Sequence, residues 1–192
     1  MFVVAVRWTE PGVLWAVAPW AFHFARRTYE SLFVHRYGGR PVPPADYLIE
    51  YVYYWGAAIW IARSLGSGWQ PPSGLQAALG LAVFAIGEAG NTWAHRRLRN
   101  LRSAAGSTER PIPRGGAFEW VSCPHYACEV LSWLGFALLV RVTGAWVFLV
   151  AGAGIVSSYA LARHRAYRER FDGREGRELY PPGRRAIFPF VL

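Results

Sequence analysis

Apolar stretches of spanning length alternate with connections that collect nearly all the basic charge, and this alternation restricts the chain more than any other feature. A helix crossing the hydrocarbon core of a bilayer needs roughly 20 predominantly apolar residues. Stretches near that length run over 11–25, 46–65, 75–95 and 144–162. A fifth, 126–142, is shorter; it starts polar and continues through Val130, Leu131, Trp133, Leu134, Phe136 and Leu138 to Val140. It reads as a tilted span whose polar end lines a cavity. All 21 basic residues are arginines, with four in 26–44, six in 96–120 and eight in 163–192. Positive charge concentrates on the cytoplasmic side, so the first and third connections and the C-terminal segment are expected in the cytosol, with the N-terminus on the far side. The expected fold is one all-α membrane domain over 1–192, an integral helical bundle of about five transmembrane helices.

Composition supports lipid over water. At 53% apolar and 16% aromatic, a chain of 192 residues exceeds the needs of a soluble core of its size. The formal charge of +9 would suit nucleic acid, but its segregation between apolar stretches points to a membrane surface or to phosphate, and nucleic acid is set aside as a partner. Tyr53, Tyr54, Trp55 and Trp146 fall near span ends, where amphipathic rings anchor. Cys123 and Cys128 cannot build a disulfide framework and fall on the expected reducing side. The first apolar stretch is interrupted by Arg7, Glu10 and Pro11, unlike a cleavable signal peptide. Gly152-Ala153-Gly154 lies inside an expected span and reads as helix packing rather than as a dinucleotide fingerprint.

Three constellations can carry chemistry. Asn91, His95, Arg99 and Arg102 recur at helical spacing, one stripe leading from the third span into the basic loop. Polar groups inside a membrane usually face a bundle interior or a wet cavity, although a helix end reaching into headgroups accounts for Arg96 and Arg97. The second is Ser122-Cys123-Pro124-His125-Tyr126-Ala127-Cys128-Glu129, where Pro124 can start a helix with free N–H groups that attract anions. Cys123, His125 and Cys128 are candidate zinc ligands by type, but their spacing fits no usual pattern, so no metal is expected. The third is Arg163-His164-Arg165-Ala166-Tyr167, followed by Tyr180-Pro181-Pro182 and Arg184-Arg185. Arginine forks suit phosphate, and positive-inside topology also explains many of them.

Over about 27–192 the chain resembles the steroid 5α-reductases and, more closely, the very-long-chain trans-2-enoyl-CoA reductases. The matching pieces are Glu30-Ser31-Leu32-Phe33-Val34-His35-Arg36, Tyr53-Tyr54-Trp55-Gly56, Gly90-Asn91 with His95, and Leu98-Arg99-Asn100-Leu101-Arg102. Ile112-Pro113, Val121 to Tyr126 with Glu129, His164-Arg165-Ala166-Tyr167, Tyr180-Pro181 with Arg184, and Ile187-Phe188-Pro189-Phe190 complete them in order. The resemblance implies a helical membrane reductase of the endoplasmic reticulum or a bacterial inner membrane, its C-terminus cytosolic, using NADPH to saturate a carbon–carbon double bond conjugated to a carbonyl. A trans-2-enoyl-CoA is the expected substrate, ahead of a 3-oxo-4-ene steroid or a polyprenoid. Carried over, Asn91, Arg102, His125, Glu129, His164, Tyr167 and Arg184 would lie in the cofactor site, with Arg27 and Arg163 beside them and His95 joining from the polar stripe.

The resemblance also implies a carbonyl-polarising tyrosine in a His-Tyr pair, coupled to a glutamate on an earlier helix. Here the pair reads His23-Phe24, and the family's early helices have no evident counterpart. His23 is the first candidate for the missing donor, with Tyr29 and Tyr54 as others. A relative that binds nucleotide or lipid without reducing it, and an isoprenylcysteine-type methyltransferase, are the alternatives from other classes.

Overall fold

The computed structural model describes residues 13–35, 44–65, 68–101 and 111–189, and their secondary structure is helical, with only two isolated β-bridges. Five α-helices stand where the five apolar stretches are: α1 (Leu14–Tyr29), α2 (Pro44–Ser64), α3 (Gly74–Asn100), α4 (Pro124–Val140) and α5 (Thr143–Arg170). One of them, Thr143–Arg170, is by itself long and apolar enough to cross a membrane, and Pro124–Val140 is a shorter apolar helix. The others depart from the uniform spans expected of them for visible reasons. Helix α1 has 16 residues, α2 is rich in Tyr and Trp, whose hydropathy is low, and α3 carries Gln76, Glu88 and Asn91. The exterior is nonetheless apolar, with Tyr47, Leu48, Tyr51, Val52 and Trp60 of α2 and Val147 and Val150 of α5 exposed.

Local signals set the helix ends. Ser73 and Gln76 form a capping box at the start of α3, satisfying donors that the first turn leaves open. Pro124 occupies the first turn of α4, where its missing N–H costs nothing. Arg141 ends that helix in the left-handed region at φ 57°, so α5 follows almost at once. Helix α1 widens into a π-helical turn at Glu30–Val34.

The buried positions of α1 are Ala16, Pro19, Trp20 and His23, one face at helical spacing. Trp20 sits at the centre of the core, its ring 5.1–5.6 Å from those of Phe24, Trp133, Phe136 and Phe148, within the range of favourable aromatic pairs. Helices α3 and α4 meet through glycine. A Cβ on Gly135 would lie 2.3 Å from the backbone nitrogen of Phe84, and one on Gly87 would lie 2.4 Å from that of Ser132. Such backbone contact is open only to small residues. Gly152 likewise receives the Tyr53 ring, whereas a Cβ on Gly154 meets nothing within 4 Å, so helix packing accounts for one glycine of that pair and not the other.

After α5 the chain folds back over the start of α4. Ser122 N–H donates to the Arg185 carbonyl at 2.8 Å and Cys123 N–H to that of Ala186 at 3.0 Å. The segment leading into the helix start that the sequence offered to an anion is therefore pinned by the protein. Gly135→Ala is expected to lower stability by about 1–3 kcal/mol or more, because backbone cannot yield as a side chain can. Gly154→Ala is expected to raise it by about 0.5–1 kcal/mol, by helix propensity alone. Thermal unfolding of the two variants in detergent checks both signs.

Candidate active site

Helices α1, α3 and α4 place a set of charged side chains inside the bundle. His23 is 2% exposed. Its Nδ1 is 2.7 Å from Glu88 Oε1, and its Nε2 is 3.2 Å from Glu129 Oε1. Only a ring protonated on both nitrogens donates to both carboxylates. One turn further along α1, Arg26 donates through Nε to Glu88 Oε2, and through Nη1 to Glu30 Oε1 at 2.7 Å and to Asn91 Oδ1 at 3.1 Å. Arg27 donates to Glu30 Oε2 at 2.8 Å. Three carboxylates thus face two guanidinium groups and one imidazole, and with that imidazole protonated the cluster closes with no net charge. Buried ions are tolerated when paired in this way, and each becomes costly when its partner is removed.

Of the residues singled out in the sequence, Asn91 and Glu129 belong to this cluster. Asn91 donates from Nδ2 to the His125 carbonyl at 2.8 Å and to Glu129 Oε2 at 3.1 Å, and Trp133 Nε1 donates to Glu129 Oε1 at 3.1 Å. Their polar atoms are engaged within the protein. His95 lies beside them, its Nε2 accepting from Arg27 Nη1 at 3.0 Å. The His95 ring centroid is 5.2 Å from that of His125 and 4.8 Å from that of His35.

His164, Tyr167 and Arg184 gather in a second cluster at the basic end. His164 Nδ1 is 2.6 Å from Ser122 Oγ, which is 2.7 Å from the Tyr180 hydroxyl. The Tyr167 and Tyr180 rings stack at 5.4 Å with planes 7° apart. Buried Arg184 donates to the Pro113 carbonyl at 2.8 Å and to Glu119 Oε2 at 3.2 Å. The Gly115 backbone N–H, aided by Arg184, holds the Glu119 carboxyl below the usual carboxylate range. Arg163 is exposed at the end of α5, and Arg102 lies outside the described residues.

Sequence reading missed Glu88, Arg26 and Glu30. Glu88 carried a signal, a single carboxylate within an apolar stretch and three residues before Asn91, so on the same helix face. The zinc set does not form: Cys123 is fully buried against Ala160, Ala186 and Ile187, and burial pushes its thiol up to about 12. Glu30, His35 and His95 do converge, with ligand atoms within 4.8 Å of one another. The Arg27 guanidinium contacts two of the three, Glu30 and His95, and its charge opposes a cation there.

The arrangement has a second chemical character. Arg26 Nη2, Arg99 Nε, His125 Nδ1 and Arg184 Nε are buried and have no hydrogen-bond partner among the described residues, while no buried carboxylate oxygen is left so. Buried unsatisfied donors cost about 1–3 kcal/mol each, and an anion is the partner that fits the three arginine nitrogens among them. The residues present therefore suit a phosphate-bearing cofactor.

An all-α bundle built around a buried ion cluster, with a donor-rich basic end, is the class that fold and site define. The sequence pattern of the 3-oxo-5-alpha-steroid 4-dehydrogenase family matches residues 69–192. A very-long-chain enoyl-CoA reductase of Dictyostelium discoideum is 38% identical over 92% of this chain and 57% of its own length. A probable very-long-chain enoyl-CoA reductase of Caenorhabditis elegans is 39% identical over 95% of this chain and 60% of its own. The steroid 5-alpha-reductase DET2 of Solanum lycopersicum is 27% identical over 100% and 74%. The chain belongs to the 3-oxo-5-alpha-steroid 4-dehydrogenase family. It spans about 57–60% of the length of the two enoyl-CoA reductases.

The ion cluster makes a direct prediction. Glu88→Ala leaves His23 and Arg26 each short of a carboxylate, and is expected to cost about 3–5 kcal/mol, read by denaturant unfolding in detergent. Glu178→Ala, which breaks only the half-exposed pair with Arg114, is expected to cost less than about 1 kcal/mol.

Proposed function

We propose that this chain catalyses the NADPH-dependent reduction of a carbon–carbon double bond conjugated to a carbonyl, with a trans-2-enoyl thioester of coenzyme A as substrate. The observation that carries the reading is His23 held between Glu88 and Glu129 inside an apolar bundle, with Arg26, which shares Glu88 with it, keeping one unpartnered nitrogen. Reduction needs a protein group that holds a proton at a defined place and donors for a polyanionic cofactor, and His23 and the unpartnered arginine nitrogens support that reading. Relatives at 38–39% identity are named enoyl-CoA reductases, and the steroid reductase stands at 27%, which supports the acyl thioester over a steroid or polyprenoid.

In this reading Arg99, His125 and Arg184 meet the dinucleotide through their free nitrogens, with His95, Arg102, Arg163, His164 and Tyr167 around them. Asn91 and Glu129 act from behind by fixing the His125 backbone and His23. When bound, NADPH supplies hydride to the β-carbon. The protein's own part is to hold a proton on His23, to exclude water with the aromatic wall of Phe24, Trp133 and Phe148, and to balance charge through Arg26. The five helices cross the membrane, with the arginine-rich connections on the cytosolic face where a soluble cofactor and acyl-CoA arrive. The membrane is that of the endoplasmic reticulum in a eukaryote or the inner membrane in a bacterium.

A second reading has one observation in its favour. Phe24 packs against His23 with ring centroids 5.2 Å apart and carries no hydroxyl, as would suit a relative that binds nucleotide without turning it over.

NADPH oxidation by the purified chain in detergent, with a long-chain trans-2-enoyl-CoA as acceptor, separates the two. Turnover is expected, and His23→Ala is expected to reduce kcat by about 10²–10⁴-fold, the scale of a lost acid–base group. Binding without turnover in the unaltered chain would select the second reading. Arg99→Ala is expected to weaken NADPH binding by about 10–100-fold, the worth of a hydrogen bond to a charged group, measured by nicotinamide fluorescence. Unchanged binding in that variant would remove Arg99 from the site.

A further inference from the structure

Ser122 is buried at the basic end, 2% exposed, and its backbone is fixed by the returning C-terminal segment. Its N–H donates to the Arg185 carbonyl at 2.8 Å, and the Arg185 N–H donates to the Trp120 carbonyl at 3.0 Å. Around its Oγ stand His164 Nδ1 at 2.6 Å, the Tyr180 hydroxyl at 2.7 Å and the Arg185 carbonyl at 3.1 Å. The partners are held as firmly. The Tyr180 ring stacks on Tyr167, has the Arg184 guanidinium over its face at 5.4 Å, and stands edge-on to the His164 ring at 5.7 Å.

A hydroxyl has one proton and two lone pairs, so these contacts restrict where each proton can be. The Arg185 carbonyl already accepts the Ser122 N–H and is the most distant of the three. The Tyr180 hydroxyl makes no other hydrogen bond to the described residues, and only as donor to Ser122 Oγ is its proton placed. The Ser122 proton then goes to the nearest acceptor, Nδ1 of a neutral His164. Neutrality follows from the surroundings. Helix α5 has 28 residues, more than the roughly 20 that the hydrocarbon takes, so His164 stands in its cytosolic end. There burial and the charges of Arg168 and Arg185 hold the imidazole below the usual histidine range. A neutral ring that accepts at Nδ1 carries its one proton on Nε2. His164 is half-buried, and its Nε2 makes no hydrogen bond to the described residues.

We propose that Ser122 is a positioning residue: with Tyr180 it forms a relay of hydroxyls that fixes the Nε2–H form of His164, so that an uncharged ring offers an N–H donor to a cofactor phosphate. The inference rests on the NADPH reading above. In the other neutral form the ring would aim a lone pair at the anion and repel it. Ser122 thus decides whether His164 attracts or repels phosphate without altering the charge on the ring.

Two measurements on the full chain in detergent test this. The first is nitrogen-15 NMR of histidine-labelled protein at neutral pH, with His164→Gln identifying the His164 signals. Protonated and bare ring nitrogens resonate far apart, and the expected spectrum has Nε2 protonated and Nδ1 bare in the unaltered chain, with the two forms mixed in Ser122→Ala. A bare Nε2 beside a protonated Nδ1 in the unaltered chain overturns the proposal whether or not NADPH binds. The second is NADPH affinity by nicotinamide fluorescence. Ser122→Ala is expected to weaken it by about tenfold, the worth of one well-aimed hydrogen bond. In the His164→Gln background the amide N–H needs no such selection, and adding Ser122→Ala is expected to change affinity by less than about twofold. A packing role for Ser122 predicts the same loss in both backgrounds, and that result, or unchanged affinity in Ser122→Ala alone, would overturn the assignment while leaving the NADPH reading intact. No NADPH binding by the unaltered chain would instead sink that reading, and the proposed phosphate contact with it.

Discussion

The bundle turns on one side chain held from two directions, with His23 of α1 between Glu88 of α3 and Glu129 of α4. A carboxylate carried alone into an apolar interior would neutralise or stay near water. Here each has a positive partner fixed by a different helix, so the charges are tolerable only while the three helices keep their relative rotation and height. The cluster adds little net stability over an apolar core of the same shape. Its effect is on register, since turning α1 by one residue would strand His23, Arg26 and Glu30 together, all of which share one face.

The tight seam between α3 and α4 is the other half of that constraint. Gly80, Gly87 and Gly135 let the two backbones touch, which brings Glu88 and Asn91 of one helix within reach of Glu129 and the His125 carbonyl of the other. Asn91 then joins two regions that would otherwise be separate. Through Arg26 and Glu129 it belongs to the inner cluster, and through the His125 carbonyl it fixes the first turn of α4, where the basic end begins. The C-terminal segment completes that end by pairing with Ser122 and Cys123 and burying Arg184. The donor-rich region is thus made of the start of α4, the end of α5 and the segment that folds back after it.

Much of this is legible in the sequence, and what is not has a physical reason. Apolar length located five helices because burial in lipid or core needs the same run of residues. His23, Asn91 and Glu129 stood out through resemblance, and Asn91 also as a polar residue where polar residues are costly. Arg27 stood out only through the resemblance, as a neighbour of the cofactor, and Arg26 not at all, because in a chain with arginines in most of its connections the sequence has no mark for the two that turn inward. What turns them is Glu30, at the start of a π-helical turn that no local signal announces. Gly152 and Gly154 look equivalent in sequence and differ only in which neighbour they face. Arg184 read as a cofactor contact; two of its three nitrogens bind the protein and one remains for a ligand.

The two sides of His23 are not alike, and the difference gives the proposed chemistry a direction. Glu88 approaches at 2.7 Å, has 5% of its side chain exposed and is held by Arg26 as well. Glu129 approaches at 3.2 Å, is 17% exposed and is held by the neutral donors of Asn91 and Trp133. A hydrogen bond between charged groups is stronger when shorter and better shielded from water, so the Glu88 side is the anchor and the Glu129 side is the one that can lengthen. Trp133 is tied to that looser side through its bond to Glu129, and Phe24 packs on the Trp133 ring. In the proposed reading, charge developing on a substrate carbonyl there would be felt by His23 through the bond that yields most easily, while the bond to Glu88 keeps α1 and α3 in register throughout.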